Sequence, residues 1–240
     1  MDSTKVTKPL RRLLKLPYCG AVIVAAGNAS RMGGVDKILA PLGGIPVILR
    51  TVQAFQECDA VKEIVIVTRQ DLIAPIMDLC KDIPKLTAVV LGGADRQASV
   101  VNGLNVLSSK VRLAAIHDGA RPLVTWQLID ATVRAARAYG AAAPAIPVKD
   151  TVKVVQGGLV QHTPDRSTLR AVQTPQVFDI DLLRGALEKA AKEELTLTDD
   201  CSAVEAMGFS VKLVEGLERN LKITTPPDLR LAEIYLEEEK

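Results

Sequence analysis

The sequence predicts an α/β protein with a doubly wound, mostly parallel sheet that is covered by helices on both faces. Short apolar runs of strand length alternate along the chain with segments that repeat apolar residues at the helical period. The 240 residues contain no internal repeat or linker-like tract, and 48% of them are hydrophobic. A chain of this length and composition suits one domain with an aliphatic core. We expect that domain over residues 18–240, after a basic N-terminal extension over residues 1–17.

The apolar runs predict strands over residues 21–25, 63–67, 87–90, 114–116, 142–147 and 210–214. The helical patterns fall at about residues 46–56, 72–81, 97–107, 126–139, 180–193, 199–207 and 226–239. Ligands of such sheets bind beyond the carboxyl ends of the strands. The polar segments that directly follow predicted strands are therefore the candidate site.

The first strand runs into a loop of small residues that carries two cations. Gly27, Gly33 and Gly34 permit positive φ angles and a close approach of backbone to ligand, and Arg31 and Lys37 add positive charge. Converging amides and cations at the end of a strand can hold a polyphosphate. A solvated surface loop that happens to carry two cations explains the same residues.

A second polar segment, residues 92–99 (GGADRQAS), follows the third predicted strand. Its two glycines would let a backbone edge face a planar ligand, and Ser99 lies one helical turn beyond Asp95. The ordinary start of a helix, whose first turn favours acidic residues, explains Asp95 equally well.

A third polar segment, residues 116–122 (IHDGARP), follows the fourth predicted strand. Asp118 is placed to meet a ribose hydroxyl or a metal-bound phosphate, or simply forms a turn before glycine. Arg121 precedes a proline and is therefore held in an extended conformation. We interpret His117 as an oriented structural group, because the sequence shows no nucleophile–base pair near it.

Residues 150–164 break the alternation and predict a β-hairpin. Residues 151–155 and 159–163 have strand character and flank a turn that contains Gly157 and Gly158. A two-stranded ribbon is marginal in water unless it packs against something. The arm is expected to pack on a partner subunit or to fold back on its own sheet.

Two further segments carry charge near the carboxyl terminus. Asp199 and Asp200 resemble a metal-binding pair, but a Thr198 helix cap followed by acids in the first turn explains them, and we favour the cap. Lys222 is predicted in a short apolar strand. There it either faces an anion or protects a sheet edge from aggregation.

Composition argues against several classes of protein. The net charge is +2 and aromatic residues make up 3% of the chain, so neither an electrostatic nor a stacking platform for nucleic acid is indicated. No apolar run approaches the ~20 residues of a membrane span. The four cysteines form no C-x-x-C pair, which predicts reduced thiols in a cytoplasmic protein, with an organelle stroma as the other location left open.

Taken together, these segments resemble the 2-C-methyl-D-erythritol 4-phosphate cytidylyltransferases of the non-mevalonate isoprenoid pathway, over about residues 20–236. The resemblance is carried by AAGxxxRMG at residues 25–33, HDGARP at 117–122, PVKDT at 147–151, DRS at 165–167, QTPQ at 173–176, TDD at 198–200 and NLKITTP at 220–226. The first loop departs from the family's pattern at residues 35–38 (VDKI), which are one residue short, and at Ala29, where glycine is usual.

The resemblance implies a Rossmann-like nucleotidyltransferase that uses CTP, a sugar-alcohol phosphate and Mg²⁺ or another divalent cation. It implies catalytic roles for Arg31, Lys37, Arg166 and Lys222, and nucleotide contacts from Ala25, Ala26, Gly27, Gly93, Ser99, Asp118 and Arg121. It places the methylerythritol phosphate against Thr151, Arg166 and Lys222. No residue is directly assigned to the metal, for which Asp118 is the candidate. The hairpin becomes a dimerisation arm that is exchanged across a homodimer.

Three other functions are compatible with parts of this pattern. A ribitol 5-phosphate cytidylyltransferase has similar loops and is the nearest alternative. A dinucleotide-dependent dehydrogenase would require G-x-G-x-x-G, which Asn28 and Ala29 interrupt after Gly27, and an acid at the end of the next strand. A non-catalytic interaction module would leave the cations at the strand ends without a role.

Overall fold

The structure, a computed structural model, describes residues 18–27 and 36–238. The predicted extension over residues 1–17 and the part of the first loop that carries Arg31, Gly33 and Gly34 lie outside these ranges. Among the described residues, no helix is long and apolar enough to cross a bilayer.

The strands are β1 (Cys19–Ala25), β2 (Pro41–Leu42), β3 (Ile45–Pro46), β4 (Val61–Thr68), β5 (Leu86–Leu91), β6 (Leu113–Asp118), β7 (Ala141–Pro147), β8 (Val154–Gln156), β9 (Leu159–His162), β10 (Arg170–Val172), β11 (Gln176–Asp179) and β12 (Lys212–Glu215). The helices are α1 (Val47–Glu57), α2 (Gln70–Leu79), α3 (Arg96–Val106), α4 (Trp126–Tyr139), α5 (Ile180–Lys192), α6 (Asp200–Ala206) and α7 (Pro226–Glu237), with a short 3₁₀ turn at Arg166–Thr168.

A mostly parallel central sheet confirms the predicted fold class. β1 pairs in parallel with both β4 and β6, and β5 extends the sheet beyond β4. β11 is antiparallel to both β6 and β7, and β12 pairs in parallel with β7. The chain moves outward from β1 through β4 and β5 and then returns to β6 on the other side of β1. The carboxyl ends of β1 and β6 therefore flank a switch point, where α/β sheets bind ligands.

Two hydrophobic cores cover the two faces of this sheet. Ile23 and Phe55 belong to one core, in which α1, α2 and α4 pack on the sheet. Val22 and Leu104 belong to the other, with α3, α5 and α6. Successive residues of β1 thus point to opposite faces, as in any strand, and both faces are buried. This explains why β1 is a continuous apolar run and does not alternate with polar residues.

The hairpin forms where it was predicted, with shorter strands. Gly157 and Gly158 have φ angles of 57° and 80°, the left-handed conformations that a two-residue hairpin turn requires. β8 and β9 form a separate two-stranded sheet, so the alternative in which the arm folds back on the central sheet is not seen. Leu159 and Val160 are 72% and 58% exposed. Packing of this apolar ribbon on a partner stays a prediction.

Two local predictions near the carboxyl terminus are wrong. Lys222 does not lie in a strand, because the segment around it has no regular structure and is held by the Ile223 amide, which donates to the Ala120 carbonyl at 2.8 Å. The cap of α6 is Asp199 and not Thr198. The Asp199 carboxylate accepts from the Ser202 amide at 2.9 Å, and the Ser202 hydroxyl accepts from the Asp199 amide at 3.3 Å. The preference for a cap over a metal pair nevertheless holds for Asp199.

Candidate active site

A cavity of about 310 Å³ opens at the carboxyl edge of the sheet, beside the switch point. Many of the predicted site residues line it, namely Ala25, Ala26, Gly27, Lys37, Gly93, Ser99, Asp118 and Lys222. These residues come from four segments that are distant in the sequence. The rule that polar segments after strands form the site and the position of this cavity thus point to the same edge of the sheet.

One wall of the cavity is the backbone after β5, which Ser99 holds in place. The Ser99 hydroxyl accepts from the Gly93 amide at 3.0 Å and donates to the Asp95 carbonyl at 2.7 Å. A Cβ atom at Gly93 would lie 2.3 Å from the Cβ atom of Ala98, so only glycine fits there. Asp95 caps α3 by accepting from the Ala98 amide at 2.7 Å. The helix-start interpretation of Asp95 is therefore confirmed.

Gly27 does not adopt the positive φ angle that the sequence predicted. Its φ angle is outside the left-handed region, and a Cβ atom there would meet nothing within 4 Å. The backbone turn thus does not require glycine at this position, although Gly27 does line the cavity.

Arg69, to which the sequence assigned no role, ties together the two described ends of the first loop. Its Nη2 atom lies 2.5 Å from Asp36 Oδ2, and its Nη1 atom donates to the Gly27 carbonyl at 3.4 Å. The other Asp36 oxygen accepts from the Ile38 amide at 2.8 Å. Lys37 lies between Asp36 and Ile38, which these contacts hold in place. Its backbone is therefore fixed at the point where its side chain lines the cavity.

Asp118, at the end of β6, is the anionic centre of the site. Its Oδ2 atom lies 3.1 Å from Lys222 Nζ and 3.3 Å from Arg121 Nε, and its Oδ1 atom lies 4.0 Å from Arg96 Nη2. Burial alone would raise the pKa of Asp118, but the cations Lys222, Arg121 and Arg96 outweigh it and lower the pKa to about 2. Asp118 is therefore ionised at neutral pH.

His117 is an oriented structural group, as predicted, and the structure shows that it is fully buried. Its Nε2 atom lies 3.3 Å from the Arg121 carbonyl, which can only accept, so the proton is assigned to Nε2. Its Nδ1 atom then accepts from the Thr174 hydroxyl at 3.0 Å, while that hydroxyl accepts from the Asp118 amide at 3.1 Å. Burial lowers the pKa of His117 to about 3. The ring orients the backbone of residues 118 and 121 and does not act as a base.

Lys222 reaches Asp118 because Asn220, two residues before it, is bonded to the segment between β10 and β11 and to Arg121. Asn220 is fully buried, and its Nδ2 atom donates to the Thr174 carbonyl at 2.9 Å and to Gln173 Oε1 at 3.1 Å. The Asn220 carbonyl accepts from Arg121 Nη1 at 2.7 Å. The segment around residue 220 is thereby fixed without being a strand.

Arg96 is the second residue that the sequence did not identify. It lines the cavity, and its Nη2 atom lies 2.7 Å from Asp200 Oδ2, a carboxylate whose side chain is 1% exposed. Asp200, the second acid of the pair that resembled a metal site, is thus the ion-pair partner of Arg96. The signal available in the sequence was an arginine inside a polar segment after a strand, the same signal that identified Arg121.

Thr151 and Arg166 are not brought to this cavity within one chain. Both are exposed next to the hairpin, and Arg166 Nη1 donates to the Lys149 carbonyl at 2.5 Å. Neither lines the cavity. Their predicted roles require the arm of a second copy.

Within the described residues, no group of three or more His, Cys, Asp or Glu side chains could hold a metal ion. Mg²⁺, however, often takes one or two carboxylates together with substrate phosphates and water. Asp118, ionised and facing the cavity, fits that manner of binding and could serve as one ligand.

A doubly wound sheet that gathers lysine and arginine side chains around one carboxylate at its switch point is typical of enzymes that handle nucleotides. The fold and the site thus define a nucleotidyltransferase. Comparison with known proteins identifies the family.

The family model described as 2-C-methyl-D-erythritol 4-phosphate cytidylyltransferase matches residues 19–238. The chain is 46% identical over 228 residues to the protein of that name from Symbiobacterium thermophilum, covering 94% of this chain and 95% of the relative. It is 44% identical over 225 residues to the one from Caldanaerobacter subterraneus subsp. tengcongensis, covering 90% and 97%. This chain belongs to the 2-C-methyl-D-erythritol 4-phosphate cytidylyltransferase family.

Solved structures agree with this assignment. The 4-diphosphocytidyl-2C-methyl-D-erythritol synthase of Anaerococcus prevotii superposes with a TM-score of 0.83 at 32% identity, over 92% of this chain and 96% of that one. The 2-C-methyl-D-erythritol 4-phosphate cytidylyltransferase of Thermus thermophilus gives 0.74 at 35% identity, over 90% and 98%.

Proposed function

We propose that this chain transfers CMP from CTP to 2-C-methyl-D-erythritol 4-phosphate at the cavity beside β1 and β6. The products are 4-diphosphocytidyl-2-C-methyl-D-erythritol and pyrophosphate, in the formation of isoprenoid precursors. The observation that carries the proposal is the convergence of Lys37, Lys222 and Arg96 on one cavity with Asp118. The comparisons with known proteins do not favour ribitol 5-phosphate as the acceptor.

The reaction needs charge stabilisation and positioning more than a protein nucleophile. A phosphate oxygen of the acceptor attacks the α-phosphorus of CTP, a new P–O bond forms, and the bond to pyrophosphate breaks. Lys37 and Arg31 stabilise the negative charge that develops on the transferred group and on pyrophosphate, and Lys222 holds the acceptor phosphate. A divalent cation such as Mg²⁺, held by Asp118 and the nucleotide phosphates, would supply further charge stabilisation.

The cytosine base lies against the backbone of Ala25, Ala26 and Gly93, which Ser99 keeps in place. Fixed backbone donors and acceptors select one base, because the wrong base leaves buried polar groups unpaired. Asp118 and Arg121 complete the nucleotide site at the ribose and phosphates.

Thr151 and Arg166 complete the acceptor site from a second copy of the chain, as an arm exchanged in a homodimer. The exposed apolar side chains of β8 and β9 support this, since a free ribbon would leave them in water.

The domain then spans residues 18–240 with an arm at about residues 150–164, and the protein works in the cytoplasm. It engages neither nucleic acid nor membrane.

Pyrophosphate release tests the assignment of substrates. CTP with Mg²⁺ and methylerythritol phosphate is expected to give turnover, whereas ATP in place of CTP, or ribitol 5-phosphate in place of the acceptor, is expected to give little. Equal rates with ATP would contradict the base site. Faster turnover with ribitol 5-phosphate would establish the alternative acceptor.

Subunit mixing tests the exchanged arm. Lys37→Ala and Arg166→Ala proteins should each be nearly inactive. In a heterodimer with exchanged arms, one site collects both defects and the other is wild type, so after random exchange about a quarter of all sites recover. A mixture that stays inactive, although mass spectrometry shows heterodimers, would mean that each site is built within one chain.

A further inference from the structure

Asp200 is a buried acid whose charge partner is Arg96. Its side chain is 1% exposed and its Oδ2 atom lies 2.7 Å from Arg96 Nη2. Apart from this ion pair, neither carboxylate oxygen has a hydrogen-bond partner within the described part of the chain. The start of α6 is held in place, because Gln176 Oε1 accepts from the amides of Asp200 and Cys201 at 3.0 and 3.1 Å. Burial raises the pKa of Asp200, and the adjacent Arg96 guanidinium opposes that shift. The 2.7 Å ion pair thus holds the carboxylate behind Arg96 as its counter-charge.

The guanidinium of Arg96 is shared between Asp200 and the active site. The same Nη2 atom that contacts Asp200 lies 4.0 Å from Asp118 Oδ1. The other oxygen of Asp118 is already paired with Arg121 and Lys222. Among the described residues, the ion-pair cluster around Asp118 thus contains Arg96, Arg121 and Lys222 as cations, with Asp118 and Asp200 as their carboxylate partners. Asp200 does not line the cavity.

We propose that Asp200 is a positioning residue that, through Arg96, limits how strongly the site attracts phosphate. Asp200 holds the guanidinium back from Asp118 and cancels its charge, so that products that carry phosphate can leave. The inference rests on the proposed function for the identity of the phosphate ligand, but its test does not require turnover.

The test is the affinity of Asp200→Asn for inorganic pyrophosphate, measured by calorimetry in EDTA. The asparagine keeps the shape of the side chain and an oxygen that can accept from Arg96, and it removes one negative charge. Removal of one negative charge a few side chains away from a partly buried phosphate should lower the Kd for pyrophosphate by about fivefold. The matched control is Asp82→Asn, which makes the same charge change at an exposed turn between α2 and β5, at the opposite edge of the sheet. A Kd equal to that of the control would overturn the proposal.

A second variant separates action through Arg96 from a purely structural effect. In the double variant Arg96→Gln with Asp200→Asn, the net charge of the site returns to that of the wild type and no buried charge is left alone. Its Kd for pyrophosphate should return to within about twofold of the wild-type value. A double variant that keeps the full gain in affinity would show that Asp200 does not act through Arg96, and the proposal would fail.

Failure of this inference can be told apart from failure of the proposed function. If the wild type transfers CMP but Asp200→Asn binds pyrophosphate like the wild type, the inference alone is wrong. If the affinity of Asp200→Asn for pyrophosphate rises as expected but the wild type transfers no CMP, the inference about Asp200 holds and the substrate assignment is wrong.

Discussion

His117→Gln should remove a pH dependence of stability that the wild type carries. His117 is fully buried against Phe55, with the ring centroids 4.9 Å apart, and burial lowers its pKa to about 3 from an ordinary value of about 6.5. Asp118 favours the protonated ring, whereas Arg121 and Lys222 oppose it, so these neighbours do not reverse the effect. Glutamine can replace both hydrogen bonds of the neutral ring.

The sign follows from proton binding. Between about pH 6.5 and 3 the unfolded chain protonates this histidine and the folded chain does not, so stability falls as the pH falls through this window. Integrating from pH 7 to pH 5 gives a loss of about 2 kcal/mol from this one residue. Asp118 adds nothing in this interval, because its pKa is about 2 and its contribution is lost only below about pH 4.

The measurement is urea unfolding at pH 7 and pH 5, followed by circular dichroism at one fixed protein concentration, because a dimer would make stability depend on concentration. The control is His162→Gln, which changes the exposed histidine of β9. The wild type and the control should each lose about 2 kcal/mol more than His117→Gln between the two pH values. An equal loss in all three proteins would refute the buried neutral histidine.

Three further variants test the site. Lys37→Ala should lower turnover by ~10²–10³ while leaving the urea midpoint nearly unchanged, since it removes a charge contact in the transition state and no core packing; wild-type turnover would mean that Lys37 is not the catalytic lysine. Arg69→Gln releases both ends of the first loop and should lower kcat about tenfold, whereas Arg134→Gln, which breaks the exposed pair with Asp130 in α4, should not; equal rates would mean that the loop needs no clamp. Asn220→Ala should reduce the free energy of unfolding by about 2–3 kcal/mol and raise the KM for the acceptor; a change in stability alone would deny it a role in placing Lys222.

The elements that the sequence predicted best have clear start and stop residues as well as a clear period of apolar residues. The helix predicted over residues 126–139 is observed as Trp126–Tyr139. Thr125 caps its start by accepting from the Leu128 amide at 3.3 Å, and Gly140 ends it with a φ angle of 83°. In contrast, the sequence did not predict β10 and β11. They are three and four residues long, too short to show a period, and they exist because β7 and β6 offer open edges.

The position of a cavity residue was predictable where it follows from a place after a strand, as for Asp118 and Ser99, which both line the cavity. A residue's role was not predictable where it depends on a partner elsewhere in the chain. Arg69 acts on Asp36, and Arg96 acts on Asp200, and no local pattern marks either pair. Lys222 was singled out as a cation that could face an anion, and Asp118 is that anion, although the strand assigned to Lys222 was wrong. Long-range ion pairs are the part of a site that a single sequence conceals.

Asp118 explains how so many cations can converge before substrate arrives. Arg121, Lys222 and Arg96 would repel one another around an empty cavity, and burial would add a desolvation penalty for each. The carboxylate of Asp118, in contact with the first two and 4.0 Å from the third, acts as an internal counter-ion that stabilises the arrangement without substrate. In the proposed reaction, phosphate oxygens that enter the cavity would meet cations already in place, and this would save the reorganisation that otherwise opposes transition-state stabilisation. Under the proposed function, the acid at the end of β6 therefore serves folding and catalysis through the same contacts.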